Sequence, residues 1–186
     1  MGAVDLYLLG SGIRGALQFS RETTQALRSC RVAFVLHDDL MVHRYIGKYC
    51  PDVRDLADLY TGQSLRVDVY RRISEVVVSE AARAPGVAFV VHGHPLFLVS
   101  ATEYTLGLAQ THDLRVRILP AISSFDTILC DLGIDYCYGL QLFDATTLIH
   151  NKWQPNPRLP LLIFQLATTL NDAVVFEEPR PEVLLP

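Results

Sequence analysis

Five consecutive residues near the middle of the chain, Val87-Ala-Phe-Val-Val91, carry no polar side chain, and they lie between Pro85-Gly86 and Gly93. A strand that is apolar on both faces needs both faces covered, which is the situation of a parallel sheet flanked by helices. Three other short apolar runs lie on either side of it: Val4–Leu9, Arg31–Leu36 and Arg115–Leu119. Between them stand segments with helical spacing at Ser20–Ser29, Asp39–Tyr49, Leu65–Ala84 and Val99–Gln110. In the longest of these, Leu65, Val69, Ile73 and Val77 recur at four-residue steps and predict one apolar stripe. Ser64 is the expected cap of that helix, and Pro85-Gly86 stops it. Strands alternating with helices predict repeated βα units around a mostly parallel sheet.

Pro120 marks a break. Beyond it, Ser123–Leu132 reads as a helix capped by Ser123 or Ser124, with Asp126 in its first turn and Gly133 at its end. Gly139–Phe143 and Leu161–Gln165 read as two further strands, separated by the turn-rich stretch Asn151–Arg158. After Asp172 the sequence becomes acidic and proline-rich and is expected to run as a loose tail. This second region is small for an independent α/β core.

Composition narrows the class. Half of the 186 residues are hydrophobic, so the chain is not of the disordered class. The net charge of −4 argues against a dedicated nucleic-acid binder. The longest apolar runs, Gly86–Val91 and Leu159–Phe164, fall far short of the ~20 residues of a membrane span. Cys30, Cys50, Cys130 and Cys137 form no C-x-x-C pair and read as reduced thiols of a cytoplasmic protein.

Four places could carry chemistry. Gly10-Ser-Gly-Ile-Arg-Gly15 matches the dinucleotide-binding spacing after a strand, yet glycines at a strand end are also ordinary turn chemistry. His92-Gly93-His94-Pro95 follows the third predicted strand, where α/β sheets place ligands. Two histidines at that spacing, without a third ligand, do not define a metal site, so no metal is expected. Pro120-Ala-Ile-Ser-Ser-Phe-Asp126 offers a helix start with hydroxyls and backbone N–H groups, equally an ordinary cap. Finally, Arg66 and Tyr70 share one helix face, with Tyr60 just upstream. An arginine beside a phenol lowers its pKa and would prepare a general base or an anion clamp; a boundary tyrosine pair with a solvated arginine has the same spacing.

Together these segments resemble the tetrapyrrole methylase superfamily, the class III S-adenosylmethionine (SAM)-dependent methyltransferases. The likeness rests on Leu8-Leu-Gly-Ser-Gly-Ile13, Gly93-His-Pro-Leu-Phe97, Leu119-Pro-Ala-Ile-Ser-Ser-Phe-Asp126 and Leu162-Ile-Phe-Gln165, in the family's order. Within it, Tyr60-x5-Arg66-x3-Tyr70 and Asp131-Leu-Gly-Ile-Asp135 resemble the borosin peptide α-N-methyltransferases. The resemblance implies an α/β fold of two α/β/α domains with a SAM cleft between them, here 1–119 and an unusually short 120–186. It implies Tyr60, Arg66 and Tyr70 as catalytic residues. It implies His92, Phe97, Ser123, Ser124 and Gln165 as contacts to SAM, with Pro95 and Ala121 shaping the loops, and S-adenosylhomocysteine as product. It further implies a homodimer acting on a precursor peptide; no fused substrate peptide is recognisable, so the precursor is expected as a separate chain, and the charge and apolar runs give no expectation of a nucleic-acid or membrane partner. The alternatives are a related enzyme acting on a porphyrinoid or small molecule, and a catalytically inactive binding module.

Overall fold

The computed structural model describes residues 3–60 and 65–169. Two separate parallel sheets organise them. The first contains β1 (Leu6–Gly10), β2 (Val32–Leu36), β3 (Val53–Asp55), β4 (Val87–Val91) and β5 (Val116–Ile118), in the spatial order β3-β2-β4-β1-β5. β4 therefore sits at the centre, which is why it needs apolar side chains on both faces: all five of its residues are buried.

Alternation along the strands divides the core in two. Leu6, Leu8, Val87, Phe89 and Val91 point to one face and pack under α3 (Arg66–Arg83) and α4 (Ser100–Thr111). Leu9, Ala33, Val35, Ala88 and Val90 point to the other, under α1 (Arg21–Arg28) and α2 (Leu40–Ile46). The result is three layers, helix, sheet, helix. Each fully buried Leu, Ile, Val or Phe contributes about 1.5–3 kcal/mol of apolar transfer to holding them together.

α3 keeps the expected stripe with one change. Val69, Ile73 and Val77 are fully buried, but Leu65 is 51% exposed and stands at the N-cap, outside the helix. The expected cap residue, Ser64, lies outside the described residues. At its other end α3 is fastened to the sheet by charge. Glu80 faces the guanidinium groups of Arg31, Arg54 and Arg83, and Arg31 also donates to the carbonyls of Glu80 and Ala84. The Arg31 hydrogen bond, above all, holds the Glu80 carboxyl below its usual range.

The second sheet pairs β6 (Gln141–Asp144) with β7 (Leu161–Phe164), in parallel, and α6 (Ala145–His150) makes the crossover between them. A parallel pair needs such a crossover. α6 was not among the expected helices, because a six-residue helix lacks a full stripe; its one local signal is Asp144, whose carboxylate caps the Thr147 N–H at 2.8 Å. β3 went unexpected for a similar reason, being three residues long and largely exposed. α5 (Ser124–Leu132) connects the two sheets and ends at Gly133 in the left-handed region, as expected.

Replacing Ile73 by alanine is expected to cost about 2–5 kcal/mol, whereas Leu65→Ala stays within about 0.5 kcal/mol. Urea denaturation of the two variants measures this; equal losses would contradict the packing of α3.

Candidate functional site

The C-terminal ends of β1, β4 and β5 converge, and one glycine makes this possible. A Cβ on Gly10 would overlap the Gly93 carbonyl oxygen, lie 2.6 Å from the Ala121 Cβ and 3.0 Å from the Pro95 Cδ. Only a residue without a side chain lets the three loops meet there. They are also hydrogen-bonded: Gly93 N–H donates to the Gly12 carbonyl at 3.0 Å, and Gly12 N–H donates back to that of Gly93 at 3.3 Å. Gly12 and Gly93 both have positive φ, +74° and +72°. Pro95 is buried, and Ala121 is half-buried.

The glycine-rich turn spends the amides of Ser11, Gly12, Ile13 and Arg14 on partners within the protein. Ile13 and Arg14 both donate their N–H groups to the Gln18 side-chain oxygen, at 2.6 and 2.8 Å. A short 3-10 turn, Gly15–Gln18, follows in place of the α-helix whose N-terminus a dinucleotide site requires. The turn reading, and not the dinucleotide one, fits this geometry.

The residues implicated in SAM contact surround this point. His92 is exposed at the end of β4, with its Nδ1 2.9 Å from the Nε2 of His37. Phe97 meets Phe164 edge to face, with ring centroids 5.2 Å apart, and Phe125 at 6.4 Å. These contacts join the second sheet to the first. Ser123 is buried and works as a cap: it donates to Asp126 Oδ2 at 2.6 Å and accepts from the Asp126 N–H at 3.3 Å. Those bonds from Ser123 lower the Asp126 pKa. Ser124, half-buried, opens α5.

Gln165 donates its side-chain N–H to the Leu98 carbonyl at 3.2 Å. Both residues have left-handed backbones, φ +59° and +57°. For a leucine that conformation costs roughly 1–2 kcal/mol, and such strain collects where surrounding structure over-determines it. Nothing in the sequence marked Leu98, since the strain is a property of the junction.

A groove of about 440 Å³ opens beside this pair, lined by Leu96, Leu98, Val99, Ser100, Glu103, Leu106, Asp144, Thr147 and Gln165. Its size is that of a small-molecule site. Glu103 and Asp144 give it a negative lining, which suits a ligand carrying cationic groups. Ala121 lines a second groove, of about 710 Å³, with Pro120 and Asp126. The structure thus gathers the implicated residues around one junction but divides them between its two sides.

Tyr60 and Tyr70 both pack, half-buried, against the core under α3 and α4. Tyr60, Arg66 and Tyr70 lie close enough for both Tyr70 and Arg66 to act on the Tyr60 phenol electrostatically. The direction differs from the expectation. Burial raises the Tyr60 pKa to about 12, helped by Tyr70, and Arg66 offsets only part of this. Desolvation outweighs one guanidinium because the phenol loses water on most sides. Tyr60 is therefore a protonated donor at neutral pH. Tyr70 also neighbours Tyr104, with ring centroids 6.4 Å apart.

Among the described residues, no three His, Cys, Asp or Glu side chains are grouped to hold a metal ion, and no helix is long and apolar enough to cross a membrane.

Known proteins resemble this chain in sequence and in fold. The sequence is 26% identical over 183 residues to a Mycena rosella protein named methyltransferase/ribosomally synthesized type I borosin cyclic peptide precursor, covering 97% of this chain and 46% of that one. It is 25% identical to the type II borosin counterpart from Phlebiopsis gigantea, covering 97% of this chain and 33% of that one. The chain thus spans less than half the length of these relatives. Its fold matches that of uroporphyrin-III-C-methyltransferase from Thermus thermophilus with a TM-score of 0.59 at 19% identity, over 85% of this chain and 66% of that one. It matches diphthine synthase with a TM-score of 0.53 at 19% identity, over 74% of this chain and 53% of that one. The sequence model of the Tetrapyrrole (Corrin/Porphyrin) Methylases matches residues 5–184, nearly the whole length, and the chain belongs to that family.

Proposed function

We propose that this chain is a SAM-dependent methyltransferase that methylates backbone amide nitrogens of a precursor peptide. The observation that carries this reading is the clustering of Tyr60, Arg66 and Tyr70 beside α3, in a methylase-family chain whose curated relatives are named borosin methyltransferase precursors. In this reading residues 1–119 carry the catalytic helix and 120–186 complete the cleft. His92, Phe97, Ser123, Ser124 and Gln165 hold the cofactor, and Pro95 and Ala121 shape its loops. A homodimer, a precursor supplied as a separate chain and a cytoplasmic setting belong to the same proposal. The acidic groove beside Gln165 and Leu98 fits a sulfonium-bearing molecule, since Glu103 and Asp144 oppose its positive charge.

An amide nitrogen is a poor nucleophile because its lone pair is delocalised into the carbonyl. SAM, when bound, supplies an electrophilic methyl on a sulfonium and leaves as the neutral thioether. The chain must remove the amide proton and stabilise the resulting imidate. Tyr60, kept protonated by burial, donates a hydrogen bond to the imidate oxygen and orients the amide. Arg66 opposes the negative charge that develops there. Tyr70, close to Tyr60, is the group assigned to take up the amide proton. Holding the amide nitrogen beside the bound methyl donor would supply much of the remaining rate.

Three experiments test these roles. Mass spectrometry of a candidate precursor peptide, incubated with the chain and SAM, is expected to show backbone methylation. Tyr70→Phe is expected to lower turnover by about 100-fold or more with cofactor affinity unchanged; unchanged turnover would remove Tyr70 from the mechanism. In an ultraviolet tyrosinate titration, one phenol is expected to ionise at about 12 and to vanish in Tyr60→Phe. Loss of a phenol titrating near the ordinary ~10 would contradict the donor role.

A further inference from the structure

A pair of histidines joins the ends of β2 and β4. His37 Nε2 and His92 Nδ1 stand 2.9 Å apart, with the rings inclined at 61°. Which nitrogen holds the proton follows from a third group. The Asp39 backbone N–H points at His37 Nδ1 from 2.9 Å. A backbone amide can only donate, so His37 Nδ1 must present its lone pair. In a neutral imidazole the proton then sits on Nε2, the nitrogen facing His92. His92 Nδ1 must accept that proton's hydrogen bond, which leaves the His92 proton on Nε2, at the far edge of an exposed ring.

We propose that His37 is a positioning residue: it fixes His92 as the Nε2–H tautomer, so that the end of β4 presents a hydrogen-bond donor to a carboxylate or hydroxyl oxygen of a bound ligand. That the ligand is SAM or its product rests on the function proposed above; the tautomer does not.

The surroundings keep the pair in this state. The His37 side chain is only 4% exposed. Burial, and then His92, lower its pKa, which favours the neutral ring. The other titratable groups facing it are Asp38 with Oδ1 3.4 Å from Nδ1, Asp39, and His43, whose Nε2 lies 2.7 Å from the His37 carbonyl. Asp38 and Asp39 pull the His37 pKa the other way, upward, by less. The His37 carbonyl can only accept, so His43 donates from Nε2; His43 Nε2 also lies 3.9 Å from Asp55. The backbone thus sets the tautomers of His37 and His43 directly, and that of His92 through His37.

Long-range proton–nitrogen NMR spectra of the histidine rings, recorded on the 186-residue chain at about pH 8, test the proposal. The expected result is a His92 ring with a protonated Nε2 and a bare Nδ1. An Nδ1–H ring, or a mixture, in the unaltered protein would overturn it. His37→Phe removes the donor and is expected to return His92 to a tautomer mixture. His37→Gln, whose side-chain amide can donate from about the position of Nε2, is expected to restore the single tautomer. The same variants titrated with S-adenosylhomocysteine are expected to show affinity about tenfold weaker for Phe, within about threefold of the original for Gln. A protein with the expected His92 tautomer that binds no S-adenosylhomocysteine would overturn the cofactor reading and leave the positioning role standing.

Discussion

The approach of the loops after β4 and β5 onto the backbone of Gly10 is the constraint on which the rest of the site depends. Gly93, Pro95 and Ala121 all occupy space that a side chain at position 10 would claim. Because β4 and β5 flank β1 in the first sheet, their loops leave the sheet side by side. The Gly12–Gly93 hydrogen bonds lock the loop after β4 to the loop after β1. His92, Phe97 and Ser123 then have fixed starting points, and α5 starts from the third loop under its Ser123–Asp126 cap.

The second consequence is a strained junction. Phe97 against Phe164, and Gln165 against Leu98, tie the small parallel pair to the main sheet. Two non-glycine residues in left-handed conformations face each other there. That is the kind of outlier from which a site is inferred, since local sequence preference would remove it unless tertiary contacts held it. The acidic groove runs beside it.

Much of the architecture was legible because it is periodic. The five buried residues of β4 and the Val69, Ile73, Val77 stripe follow from burial on both faces of a sheet and one face of a helix. Elements without a period escaped: β3 is too short and exposed, and α6 is signalled only by its Asp144 cap. The same limit holds in the site. Spacing alone could pair Arg66 with Tyr70, but the pKa of Tyr60 is set by burial from distant elements and moves opposite to the pairwise expectation. Leu65 shows this in reverse, fitting the stripe by number while the chain turns out of the helix before it. His37 was invisible as a partner of His92, because 55 residues separate them in sequence.

The most direct measurement of the account is a map of backbone amide NMR shifts as S-adenosylhomocysteine is added. The account predicts saturable shifts concentrated in His92–Val99, Ala121–Phe125 and Phe164–Leu166, with the outer surfaces of α1 and α2 unmoved. Shifts confined to α1 and α2, or none at saturating ligand, would contradict it.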